Sequence, residues 1–177
     1  MSRVADLSTC MTIASEVRDS LMRSVGRSTF NCIFASLVLA DRLAQATKTP
    51  VQAVRGEVFI GAHEDHQDHW WVEVQTDRCG PVVIDITADQ FNHDVGLGVQ
   101  PFWPVHVEFG LVSPTHYHKD GVASVICVPG RRGAAETSRL ISEMASEDCR
   151  SYRREIDWRR ASTWAADSVM KSYKESK

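Results

Sequence analysis

The chain predicts a single α+β domain over residues 1–177, with an antiparallel sheet packed on an N-terminal helix and further helices flanking it. Three observations carry that expectation. Helical periodicity occupies the chain up to about Gln45, short β-rich runs separated by turn-rich segments fill Val51 to Val128, and helical periodicity returns after Pro129-Gly130. The strand-like runs follow one another too closely to leave room for crossover helices, so they pair antiparallel, and helices before and after a sheet define α+β.

Val4, Leu7, Met11, Ala14, Val17 and Leu21 recur at three- and four-residue steps with Asp6, Ser8, Glu16, Arg18 and Asp19 between them. This is an amphipathic helix, interrupted near Gly26. Ser28, Thr29 and Asn31 are good capping residues ahead of a second helix that Cys32 opens and that runs to about Gln45. Its run from Ile33 to Ala40 has little polar contrast, which predicts a central buried helix, with Asp41 and Arg42 marking its emergence to solvent. The expected strands are Val51 to Val54, Val58 to Ile60, Trp70 to Gln75, Val82 to Thr87, Val105 to Phe109 and Ala123 to Val128. Beyond Gly130, Leu140, Ile141 and Met144, then Ile156, Trp164, Val169 and Tyr173, give helical faces, and Lys174 to Lys177 are expected to fray.

Composition narrows the function classes. A 177-residue chain with 43% hydrophobic and 24% charged residues can bury a core without staples. A net charge of -3 gives no general attraction to nucleic acid or to an anionic membrane. Cys10, Cys32, Cys79, Cys127 and Cys149 show no paired spacing, and Met1 to Asp6 lacks a basic-then-apolar segment. The expectation is a cytoplasmic protein with reduced thiols and no membrane span, which leaves export by a dedicated apparatus open. Oligomeric state is not legible.

Cys32, His69 and Asp85 are the candidate catalytic residues. A thiol is mostly protonated at neutral pH, so a nucleophilic Cys needs a helix N-terminus or an imidazole neighbour, and Cys32 begins a helix behind a cap-rich lead-in. Taken alone it is a small buried hydrophobe, as most free cysteines are. His69 opens the strand-like run His69-Trp70-Trp71-Val72-Glu73-Val74, and Asp85 interrupts the apolar run Val82-Val83-Ile84-Asp85-Ile86. A carboxylate there must be paired, and an imidazole N–H is the partner that explains it.

This ordered trio resembles the transglutaminase-like superfamily, a branch of the papain-like fold, over roughly residues 26–91. The His69-Trp70-Trp71-Val72-Glu73-Val74 run and Asp85-Ile86-Thr87 are similar to its His-x-Trp-Val-Glu-Val and Asp-Pro-Thr signatures, and Pro50 to Val58 to its strand after the Cys helix. Ile86 replaces the usual Pro, and Gly26 stands where papain relatives often carry a Gln. The resemblance implies a cysteine hydrolase or acyltransferase with a Cys32-His69-Asp85 triad and no cofactor. It acts on an amide bond of a protein or peptide through a thioester, with Asn31 or Gln90 as oxyanion or supporting residues. Peptide or isopeptide hydrolysis is the preferred reaction. Glutamine deamidation, acyl transfer, a peptidoglycan amidopeptidase and a binding module with a vestigial triad stay open.

Other segments are less specific. His63, His66 and His69 recur every third residue but read as a loop, so no metal is expected there. Thr87 to Phe91 reads as a strand-to-turn transition in which Asp89 or Gln90 braces the triad and Phe91 anchors the core. Pro101-Phe102-Trp103-Pro104 and Thr115-His116-Tyr117-His118 read as exposed aromatic loops, and Arg150, Arg153, Arg154, Arg159 and Arg160 as a solvent-facing, salt-bridged helix.

Overall fold

The computed structural model describes residues 5–28, 31–60, 66–92, 101–109, 116–118, 123–147 and 155–175. Helix α1 (Leu7–Ser24) starts where the Asp6 carboxylate accepts the Thr9 N–H at 3.0 Å, and it ends at Gly26, whose φ of 88° is in the left-handed region that favours glycine. Helix α2 (Cys32–Thr47) follows from Asn31 and is the central helix expected of its uniform apolarity. Asp41 does not mark an exit to solvent. It is fully buried, with only Gln45 Nε2 at 3.4 Å on one oxygen among the described residues, and burial pushes its pKa up to about 6.

Among the described residues six strands form one antiparallel sheet: β1 (Val51–Phe59), β2 (His66–Thr76), β3 (Gly80–Asp85), β4 (His106–Phe109), β5 (Tyr117–His118) and β6 (Ser124–Cys127). The order is β4-β3-β2-β1-β5, and β6 also pairs with β1. The two expected runs around Gly56 are one continuous strand. Gly56 is opposite His69, and a Cβ on it would lie 2.3 Å from the His118 carbonyl oxygen and 2.4 Å from the Trp71 ring. Its missing side chain is what lets β5 and the indole close on β1.

Alternation along the strands builds two cores. Trp70, Val72, Val74, Val82, Ile84 and Ile86 join the helices in the larger one, and Phe34 of α2 meets Trp158 of the last helix with ring centroids 4.5 Å apart. Trp71 and Val83 belong to the second, with Val54, Val58, Phe91, Phe102 and Tyr117. By the same period of two, His69 and Asp85 lie on the second face. The sheet curls over it: β4 and β5 stand at opposite ends of the strand order, yet His116, just before β5, hydrogen-bonds Glu108 of β4.

Helices α3 (Arg131–Glu147) and α4 (Glu155–Glu175) complete the α+β domain, and α4 extends through Lys174 and Glu175, which are helical rather than frayed. Among the described residues no helix is long and apolar enough to cross a membrane.

Candidate active site

Cys32 is the first helical residue of α2 and is half-buried. At that position its backbone N–H has no intrahelical acceptor, and the N-terminal end of the helix dipole favours a negative sulfur. Asn31, immediately before it, is buried, and its amide nitrogen donates to the Arg27 carbonyl at 3.2 Å. Of the other capping residues ahead of the helix, Ser28 is buried and Thr29 lies outside the described residues.

His69 and Asp85 come from adjacent antiparallel strands and meet with Nε2 and Oδ2 2.7 Å apart, both side chains 1% exposed. Every acceptor site that Asp85 needs to fill is filled. Oδ2 also accepts the Tyr117 hydroxyl at 2.9 Å, while Oδ1 accepts the Thr87 N–H at 2.8 Å and its hydroxyl at 3.0 Å. Burial alone would neutralise the acid, but the His69 charge and these donors outweigh it and hold the carboxyl below its ordinary range. Burial likewise opposes the imidazolium. The charges of Asp85 and Cys32, with hydrogen bonds to both, prevail and raise His69 to about 10.

The three candidate catalytic residues are thus brought together. With Nε2 committed to Asp85, Nδ1 is the ring nitrogen left for the sulfur. Gln90 Nε2 lies 3.3 Å from that Nδ1, and Phe91 meets the ring edge-on at 4.8 Å between centroids. The amide's oxygen and nitrogen are interchangeable in assignment, so Gln90 can accept from the imidazolium or donate to the neutral ring. Both residues stand on a 3-10 turn, Ala88–Phe91, rather than a plain strand-to-turn transition. Asp89 of that turn anchors it to α1, where Arg18 bonds both Asp89 oxygens at 2.8 and 2.5 Å and the Ile86 carbonyl at 2.5 Å. Gln90 therefore supports His69 directly and Asp89 braces it from behind.

Sequence reasoning passed over three of these supports. Arg18 is 8% exposed rather than on a solvated face. It follows Val17 on the stripe that includes Ala14 and Leu21, so the helical period held the signal. Thr87 follows Asp85 by two residues, the spacing at which a carboxylate caps its own backbone. Tyr117 is 1% exposed, not part of an exposed loop, and Phe102 is 3% exposed, whereas Pro101, Trp103 and Pro104 of its segment stand out in solvent as expected.

The predicted histidine loop divides. His63 lies outside the described residues, whereas the backbone of His66 opens β2, so the stretch from His66 to His69 is strand and not loop. Arg150, Arg153 and Arg154 also lie outside the described residues; Arg160, on α4, donates to the Ser24 carbonyl at 3.1 Å.

Removing the Tyr117 hydroxyl isolates one of the donors on Asp85. Tyr117→Phe is expected to cost about 1.5–3 kcal/mol, the usual range for a hydrogen bond to a charged group. Because that bond lowers the Asp85 pKa, its loss raises the folded-state value. The stability contributed by Asp85 is present above the unfolded carboxyl pKa and is lost as pH falls through the folded one. In the variant that loss therefore begins at higher pH, which urea midpoints measured across the acid range will show.

Comparison with protein-family models, with curated proteins and with solved structures gives no match to this chain.

Proposed function

We propose that this protein is a transglutaminase-like cysteine enzyme of papain-like fold that hydrolyses an amide bond of a peptide or protein through a thioester on Cys32. The observation that supports the reading is the buried His69–Asp85 hydrogen bond, with a thiol at a helix N-terminus near enough to His69 to help raise its pKa. Such a pair sets an imidazole where it can take the thiol proton and stabilise the nucleophilic thiolate, as an activated cysteine requires.

In the first half-reaction the Cys32 sulfur attacks the carbonyl carbon, and the oxygen becomes an oxyanion beside the backbone N–H of Cys32. The C–N bond then breaks as the proton on His69 Nδ1 passes to the departing amine, leaving a thioester and a neutral imidazole. In the second, that imidazole takes a proton from water as its oxygen attacks the thioester. The acid is released, and thiolate and imidazolium are restored. Asp85 holds the ring in place and stabilises its charge throughout.

Labelling with iodoacetamide at neutral pH, followed by peptide mapping, tests this reading. Cys32 is expected to be alkylated first, ahead of Cys79, which is exposed in the turn at the far end of β2 from His69. Cys10 and Cys127 are expected to stay silent, because burial pushes their thiols up to about 11 and about 12. Equal labelling of Cys32 and Cys79 would remove the catalytic reading.

A further inference from the structure

A second constellation lies on the same face of the sheet. Glu108 projects from β4 two residues after His106, and both meet His116, which directly precedes β5. His106 Nε2 lies 3.2 Å from Glu108 Oε1, and His116 Nδ1 bonds the same oxygen. The Glu108 second oxygen is 3.4 Å from the His116 backbone N–H. One donor atom from each of the three side chains falls within 4.8 Å of the others. The side chains are 13%, 10% and 19% exposed, sheltered yet reachable by a small ion.

From these observations we propose that His106, Glu108 and His116 bind one divalent transition-metal cation of the zinc class, which clasps the two ends of the curled sheet together. Two imidazole nitrogens and a carboxylate oxygen are the donor set that such ions prefer over magnesium or calcium. A tetrahedral ion with bonds of about 2.0–2.1 Å spaces its ligand atoms about 3.4 Å apart, so these side chains need only small adjustments. Water completes the coordination.

Two features separate this arrangement from an ordinary hydrogen-bonded cluster. Both imidazoles converge on a single carboxylate oxygen, although a carboxylate offers two. In addition, His106 Nδ1 is buried with no hydrogen-bond partner among the described residues. An ion bound through Nε2 would therefore replace only the bond to Glu108, with no second bond tying the ring in place. Phe102 meets both rings edge-on, at 5.0 Å for His106 and 4.9 Å for His116, and fixes their planes as a supporting wall does around a metal ligand.

The position gives the ion a structural role. His106 is the register partner of Asp85, and His116 directly precedes the Tyr117 that bonds Asp85. An ion here lies behind the carboxylate and holds β4 against a strand of only two residues, which has little pairing of its own. It takes no part in the amide chemistry.

The test is equilibrium dialysis of the full chain, stripped with chelator, against Zn2+ and separately Co2+, with bound metal counted by elemental analysis. One equivalent per chain is expected, together with a melting temperature that rises with Zn2+ concentration and a cobalt spectrum free of sulfur-to-metal charge transfer. Glu108→Gln and His116→Ala should each weaken binding by more than about tenfold, the loss that removal of even an outer partner can cause. Cys32→Ala and the double variant His63→Ala/His66→Ala should bind as the parent does. No metal retained by the parent chain would overturn the proposal, with no variant needed. So would undiminished binding in a Glu108→Gln protein whose circular dichroism shows it folded, or binding lost in Cys32→Ala or the His63/His66 double variant, which would move the ion to those residues.

Discussion

Cys32→Ala is expected to lower turnover of an amide or activated-ester substrate by on the order of 10⁶-fold, the loss typical when the nucleophile of a triad is removed. The fold should survive, since a methyl replaces a small half-buried thiol at the first turn of α2. His69→Ala should be about as damaging to turnover, because residues that act as one unit lose function together. A spectroscopic consequence accompanies the kinetic one. The Cys32 charge is among the causes that raise His69, so the imidazole of Cys32→Ala should titrate at lower pH than that of the parent, as followed by NMR. Turnover that persists in Cys32→Ala would place the chemistry elsewhere.

Asp85→Asn is the second large effect, with turnover expected to fall on the order of 10⁴-fold while secondary structure is kept. The amide retains the shape of the carboxylate but not its charge. With its main support gone, burial prevails at His69, the ring goes neutral near pH 7, and the thiol loses the cation that stabilises its ionised form. The pH profile of stability should flatten at both ends. In the parent, the Asp85 contribution is complete above the ordinary carboxyl range and is lost as pH falls through its depressed pKa. The His69 contribution is complete below about 6.5, the ordinary imidazole value, and is lost as pH rises through about 10. Chemical denaturation across pH, run beside turnover per folded molecule, tells an orienting acid from scaffold. A lower melting temperature with unchanged turnover would mean that Asp85 is only structural.

How much of this was legible in the sequence depended on whether a feature is local. The Cys helix, the His69 strand and the Asp85 strand announce themselves through periodicity, and an acid among Val82, Val83, Ile84 and Ile86 demands a partner. The opposed facing of Val82 and Val83 follows from the period of two alone. Tyr117 was hidden because a strand of two residues has no period to read. Asp41 was misplaced because a charge on a helix normally means solvent, and only the packing of sheet and helices around α2 covers it. The pair His106-x-Glu108, not singled out beforehand, was legible only as two positions on one face of the expected strand Val105 to Phe109. Its convergence with His116 was not, since that arises from the curl that joins opposite ends of the sheet.

The Arg18 clamp has a consequence for how activity appears over time. Its bonds to Ile86 and Asp89 span 68 and 71 residues, and the Tyr117 bond to Asp85 spans 32. Contacts so distant along the chain carry a loop-closure cost that is met only once most of the fold is in place. A chain emerging from the ribosome therefore exposes Cys32 long before it can complete the surroundings of His69. On the proposed function, the thiol would gain its catalytic partners only at the end of folding, and a half-made chain would be spared its own chemistry.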